Sequence, residues 1–273
     1  IGGIVPGNKL GKNALNLRVN TELIPGLKTG VKLNYLNQKI DNRPRLGDAG
    51  TPIEAYIMPR DMTSDELGQY ETINPANGQP IRKYWTNSSI YDNPYWSTNR
   101  TSVDEQRDRI TALGSVTYEF TDRIRLMGRA SFDKYIDKTY GKFYDGTVSL
   151  GDVRKGGKYY ETNARYWERN LDVLLTGDQD LSEQIKLNFT AGASALTRKY
   201  SITQDMANGL SIPNHFSLTA ATTPEFPIVQ DYERRLNSVY GSLQFGFFDY
   251  LFLDMTARND WSSTLKSPHS YFY

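Results

Sequence analysis

The sequence predicts an all-β protein, an antiparallel up-and-down sheet of the transmembrane β-barrel type, and three observations lead to it. Eight segments alternate apolar and polar residues with a period of two, the signature of strands with two unlike faces. The connections between them alternate strictly between short and long. No stretch approaches the roughly eighteen consecutive apolar residues of a membrane helix, and mean hydropathy is −0.59, which a barrel allows because lipid-facing and lumen-facing residues average out.

The first segment sets Leu15, Leu17, Val19 and Leu23 against Asn16, Arg18, Asn20 and Glu22. A Pro25-Gly26 turn leads to Val31, Leu33 and Tyr35, interleaved with Lys32 and Asn34, so the pair predicts a hairpin. The second hairpin opposes Ile110, Ala112, Gly114, Val116, Tyr118 and Phe120 to Arg109, Thr111, Ser115, Thr117 and Glu119, with Leu113 as the exception. After "TDR" it continues with Ile124, Leu126, Gly128, Ala130 and Phe132 against Arg125, Arg129, Ser131 and Asp133. In the third, Trp167, Leu171, Val173 and Leu175 precede a turn expected over "GDQDLSEQ", and Ile185, Leu187, Phe189, Ala191 and Ala193 follow it. The fourth runs from Val239, Gly241, Leu243, Phe245 and Phe247 through "FFDY" to Leu253, Met255 and Ala257.

Between hairpins the chain wanders near residues 40–107, 138–163 and 201–231, each longer than the roughly 12–15 residues usual in compact domains. Strict alternation puts every short turn at one end of the sheet and every long loop at the other. Outer-membrane barrels have that pattern, with strands of about ten residues tilted across the bilayer.

Composition removes other classes. Lys+Arg 32 against Asp+Glu 31 leaves no basic surface for nucleic acid. Cysteine is absent, and the two histidines, His215 and His269, have no partner at ligand spacing, so neither a metal nor another cofactor is expected. No P-loop, G-x-S-x-G or G-x-G-x-x-G occurs, and no catalytic residue is assigned. The N-terminal "IGGIVPGNKL" lacks the features of a signal peptide. "TSDELGQY" at Thr63–Tyr70 is compatible with one helical turn capped by Thr63 or Ser64.

Three stretches carry a family resemblance: "NPYWSTNRTSVDEQRDRITALGSVTYEF" (Asn93–Phe120), "NLRVNTELIPGLKTGVKLNY" (Asn16–Tyr35) and "LDMTARNDWSSTLKSPHSYFY" (Leu253–Tyr273). Together they resemble the barrel of the SusC/RagA family of TonB-dependent outer-membrane transporters of Bacteroidetes. The resemblance implies that residues 1–273 are part of one TonB-dependent-receptor-like barrel domain, about eight strands of a 22-stranded, plugged barrel. It implies that the plug and the remaining strands are absent here, and that "SYFY" leads into a further strand. It also implies a Gram-negative outer-membrane location, energy-coupled import of oligosaccharides or peptides, and two partners, a SusD-like surface lipoprotein and TonB, the TonB contact lying outside this chain.

Aromatics gather where strands are expected to meet the long loops: Tyr84, Trp85, Tyr91, Tyr95 and Trp96, then Tyr159, Tyr160, Tyr166 and Trp167, then Tyr271–Tyr273. Two readings fit. One is an interfacial girdle in the lipid headgroups or loop packing; the other is a stacking platform for a sugar ring or peptide side chain, for which Trp85, Tyr91, Tyr95 and Trp96 are the candidates. Two further functions stay open at this stage, a surface protein that binds or adheres without transport, and a hydrolase built on His269 with Ser262, Ser263 and Asp260.

Overall fold

The computed structural model describes residues 1–47, 50–83, 90–149, 152–153, 155–265 and 271–272. Strands β1 (Lys9–Ile24) and β2 (Leu27–Asp41) form the first hairpin. The loop after it holds helices α1 (Thr51–Tyr56) and α2 (Ser64–Gly68), the small ribbon β3 (Glu71–Ile73) and β4 (Pro80–Arg82), and helix α3 (Pro94–Asn99). Next come β5 (Thr101–Glu119) and β6 (Ile124–Phe143), a short ribbon β7 (Val148–Ser149) and β8 (Asp152–Val153), and the longest pair, β9 (Lys158–Ser182) and β10 (Ile185–Asn208). A 3-10 turn at Leu218–Ala220 precedes β11 (Ile228–Phe247), β12 (Leu251–Ser262) and the two-residue β13 (Tyr271–Phe272).

The large sheet is antiparallel throughout, in the order β1-β2-β5-β6-β9-β10-β11-β12-β13. Eight long strands in four hairpins match the expectation from periodicity, and β13 pairs Tyr271 and Phe272 with Trp261 and Asp260. The turns are tight. Gly26 adopts a φ of 81°, and Phe248 and Asp249 take φ values of 56° and 59°, a left-handed pair that closes the three-residue turn with the Tyr250 N–H donating to the Phe247 carbonyl at 3.2 Å.

Two expectations need correction. The strands are much longer than ten residues, reaching 25 in β9 and 24 in β10, and "GDQDLSEQ" is mostly strand, with only Glu183 and Gln184 left as the turn. At about 3.3 Å per residue β9 extends about 80 Å, or roughly 57 Å of height at a 45° tilt, against an apolar band about 25 Å tall. The strands therefore continue well past the membrane, where an outward residue no longer has to be apolar. The long loops shrink accordingly to residues 42–100, 144–157 and 209–227.

Register fixes two faces. Leu17, Leu33, Ala112, Phe132 and Arg169 lie directly opposite one another from strand to strand, so the odd positions of β1 and β2 share an outward face with the even positions of β5 and β6. That face carries exposed Leu15, Leu17, Val19, Val31, Val116, Leu171, Val173, Val239 and Leu253, the reverse of a water-soluble core. The inward face pairs charges across strands: Arg109 with Asp133, Arg107 with Asp137, Arg129 with Asp172 and Arg198 with Glu168.

The two faces make opposite demands on a new charge. Val116→Arg, on the outward face, is expected to cost roughly 2–4 kcal/mol near the midplane, whereas Thr117→Arg, facing inward, costs little. Unfolding titrations in lipid measure both, and equal costs would mean that the faces are inverted.

Candidate functional site: the loop cap and the inner wall

The loops at one end of the sheet fold onto one another. Asp92, fully buried, accepts from Arg82 Nη1 at 2.5 Å and from the Val148 backbone N–H at 2.9 Å, tying the first long loop to the second. Asn214 of the third loop donates to Gln79 Oε1 at 3.2 Å and accepts from the Asp145 N–H at 2.8 Å. All three long loops thus form one cap. Of the buried apolar residues among the described ones, Leu67, Trp96, Val148, Tyr159, Ala207, Leu210 and Ala220 lie at this end, and Ala164 lies within β9.

The Asn-Pro-Tyr-Trp stretch builds the hinge of the cap. Asn93 caps α3 by accepting from the Tyr95 N–H at 2.9 Å, and its Nδ2 donates to the Leu67 carbonyl at 3.0 Å. Pro94 sits at the first helical position, where its missing N–H costs nothing. Trp96 is 0% exposed, with its indole Nε1 donating to Thr147 Oγ1 at 3.0 Å. Its ring therefore joins two loops and offers no free face for stacking, contrary to the platform expectation for this residue. α2 carries the anticipated cap, with Thr63 and Glu66 bonding reciprocally.

The other candidates differ in placement. Tyr95, 38% exposed, lines an apolar recess of about 370 Å³ together with Pro6, Ala55, Met58, Leu67 and Pro94. Tyr91 is half-buried, and its carbonyl accepts from Arg82 Nη1 at 3.3 Å. Trp85 lies outside the described residues. So does His269, while Asp260 of the same hydrolase set is engaged by Arg258 at 2.9 Å. No group of three or more metal-ligating side chains occurs among the described residues.

Beneath Asp92 lies a second buried carboxyl. Glu54 is 1% exposed and accepts from Arg45 Nη2 at 3.1 Å, and the same Nη2 donates to Ser97 Oγ at 3.1 Å. Burial pushes the Glu54 carboxyl up to about 7, against the opposing pull of the Ser97 hydrogen bond and the Arg45 charge. Burial also raises Asp92, opposed chiefly by Arg82.

The inner wall below the cap holds a row of tyrosines that sequence reasoning did not assemble, although it singled out Tyr166 as a junction aromatic. Tyr135, Tyr166, Tyr200 and Tyr232 sit in one register row across β6, β9, β10 and β11, all on the inward face. Tyr135 and Tyr166 stack at 4.8 Å, Arg107 lies over Tyr135 at 4.8 Å, and the Tyr166 hydroxyl donates to Glu168 at 2.6 Å. Lower on the wall, the Tyr240 ring lies over Gly192, where a Cβ would come within 2.6 Å of it. Each tyrosine is an ordinary inward residue of its own strand; only the register brings the four together.

No family model and no curated sequence matches the chain. Solved structures do. The chain aligns over 97% of its length with "Structure of the RagAB peptide transporter", at TM-score 0.71 and 16% identity, and with the importer in its closed-closed state at TM-score 0.72. The fold is that of the SusC/RagA-type transporter barrel. The chain spans 29% of the length of the RagAB chain. The ferric preacinetobactin receptor BauA from Acinetobacter baumannii aligns more loosely, at TM-score 0.54 and 14% identity, with 98% of this chain and 36% of that one covered. The first is described as a peptide transporter and the second as a ferric preacinetobactin receptor.

The Glu54 carboxyl gives the cap a pH dependence of definite sign. Its folded value near 7 lies above the ordinary 4.5, so the folded cap holds the proton more tightly, and its stability falls as pH rises through that interval, by up to about 3 kcal/mol. Limited proteolysis of residues 42–100 in the membrane-embedded protein is expected to accelerate from pH 5 to pH 8, and the Glu54→Gln variant to show a flatter profile at matched protease activity. Superimposable profiles would remove Glu54 from the account.

Proposed function

We propose that this chain forms part of the wall and the outer vestibule of an energy-coupled importer in the Gram-negative outer membrane, taking up oligosaccharides or peptides. The observation that carries the proposal is the asymmetry of the two ends. Tight turns close one end, while three cross-linked loops with an apolar recess at Tyr95 and a row of inward tyrosines crowd the other. A recess with aromatic walls and a few polar groups suits side chains or ring faces. Peptide is favoured because the RagAB neighbour is a peptide transporter. Tyr91 and Tyr95 are the proposed contact residues, with Trp85 retained from the sequence. Partnership with a SusD-like lipoprotein over the cap, and with TonB through parts of the protein beyond this chain, completes the proposal.

Two measurements test it. An epitope tag between Pro75 and Pro80, in the exposed β3–β4 turn, is expected to be stained on intact cells, and tags at Asp122 or Asp249 only after the outer membrane is opened. Tyr95→Ala is expected to weaken substrate uptake roughly threefold to tenfold while barrel assembly persists. Staining at Asp122 on intact cells would reverse the orientation, and binding without uptake would favour the adhesive reading.

A further inference from the structure

The outward face is not uniform around the sheet. On β1, β2 and β5 the apolar band reaches Leu15, Tyr35 and Ile110, but the same register row continues as Lys134, Trp167 and Lys199 on β6, β9 and β10. Tilted strands produce this drift, because a register row climbs relative to the membrane plane. Next to the outward Phe132 and Leu171 stand Lys134 and Arg169, with Ile136 and Trp167 beyond them on the same face. On β1, β2 and β5 the corresponding positions hold Asn13, Asn37 and Asp108.

Trp167 is the centre of a cross of cations. Arg165 and Arg169 flank it along β9 on the same face, Lys134 is its register partner on one side, and Lys199 is its partner on the other, with Nζ 5.8 Å from the ring centroid. Lys199 shares Glu233 with Arg235. Lys134, Arg165 and Arg169 are exposed and make no ion pair among the described residues. Toward the short turns, the described outward strand positions past the band carry no lysine or arginine: Leu23, Leu27, Phe120, Gln179 and Leu251 are examples.

Two recesses frame the cross on β9 and β10. Below it, toward the membrane, an apolar recess of about 330 Å³ is lined by Leu171, Val173, Ala193, Ala195, Val239 and Trp261. Above it, a polar recess of about 440 Å³ is lined by Lys138, Glu161, Asn163, Arg165, Ser201 and Thr203. From the membrane outward the order is acyl-sized groove, cations around an aromatic, then a polar hollow in which Lys138 and Arg165 stand beside Glu161, Asp205 and the hydroxyls of Ser201 and Thr203.

We infer that this face is a binding site for a phosphorylated glycolipid of the leaflet on the long-loop side. The acyl chain packs against Ala193 and Ala195, phosphate is held by Lys134, Arg169 and Lys199, and the sugar fills the polar recess beside Arg165. Lysine and arginine are attracted to an anionic membrane surface, and arginine engages phosphate bidentately. A lipid fits better than a protein partner because the cations continue the lipid-facing band without a break. The inference rests on the barrel fold and not on what is transported.

The test uses the protein purified from its own membrane in mild detergent, with bound lipid identified by native mass spectrometry. About one phosphorylated glycolipid is expected to survive extensive washing in the wild type, and the Lys134→Gln, Arg165→Gln, Arg169→Gln variant is expected to retain it at least tenfold less. Lipid-depleted wild type is expected to rebind a diphosphorylated glucosamine-disaccharide lipid at least tenfold more tightly than phosphatidylglycerol, and to ignore inorganic phosphate at the same concentration. That comparison needs no variant to fold. Equal retention by variant and wild type, equal affinity for phosphatidylglycerol, or recovery of an acidic protein in place of lipid would each overturn the assignment. Recovery of both proteins only with detergent shows that insertion is intact, so loss of lipid is separable from loss of the barrel.

Discussion

Every feature of this chain follows from one requirement: backbone N–H and C=O groups surrounded by hydrocarbon must be satisfied within the sheet, because no water is there to do it. The ladder answers that requirement with antiparallel pairing from Lys9 opposite Asp41 to Phe247 opposite Leu251, its register shifting only beside the tight turns, at Glu22/Ile24 and Ile185/Lys186. Once the ladder is fixed, side chains have only two directions. Outward residues meet lipid and are apolar without being buried in protein, and inward residues are polar and pair with one another. The usual core is consequently displaced to the cap, where Trp96 and Val148 are as buried as any residue in a water-soluble domain.

The cap obeys different physics from the wall. Its stability rests on buried charge, Arg82 with Asp92 and Arg45 with Glu54, and such pairs offset their desolvation only when hydrogen bonds complete them. Asp92 meets that condition through the Val148 N–H and Arg82. Glu54 meets it less fully, since Oε2 finds no hydrogen-bond partner among the described residues, and burial holds its carboxyl up to about 7 against the pull of Ser97 and Arg45.

What could be read in the sequence is what lies within one strand. Alternation in Leu15–Leu23 or Ile110–Phe120 needs no knowledge of neighbours, and it gave the faces correctly. The alternation of long and short connections gave the ends of the sheet. "GDQDLSEQ" was misleading because polar residues at Asp178, Asp180 and Ser182 look like a turn, whereas they occupy inward strand positions of β9, where polar side chains are ordinary. Trp96 looked like a platform because an aromatic beside a strand end can be girdle, ligand contact or packing, and only its bond to Thr147 decides. The tyrosine row and the cations around Trp167 were invisible for a stricter reason: both exist only across strands, and no local pattern fixes how β6, β9 and β10 slide against one another.

The Arg-Asn-Asp-Trp-Ser stretch shows the same logic inside a single motif. In β12 Arg258, Asp260 and Ser262 face inward while Asn259 and Trp261 face outward, so a five-residue run serves two environments. Arg258 Nε holds Asp260 at 2.9 Å, and its Nη2 donates to Ser238 Oγ at 3.1 Å on β11. Asp260 is 6% exposed and Ser238 1%, so the guanidinium completes a buried set that would otherwise keep an unpaired carboxylate. Outward, Trp261 lines the apolar recess with Ala193 and Ala195. The requirement that joins these residues in sequence is thus met separately on each face: a charge pair closed against the lumen, and an aromatic placed against lipid.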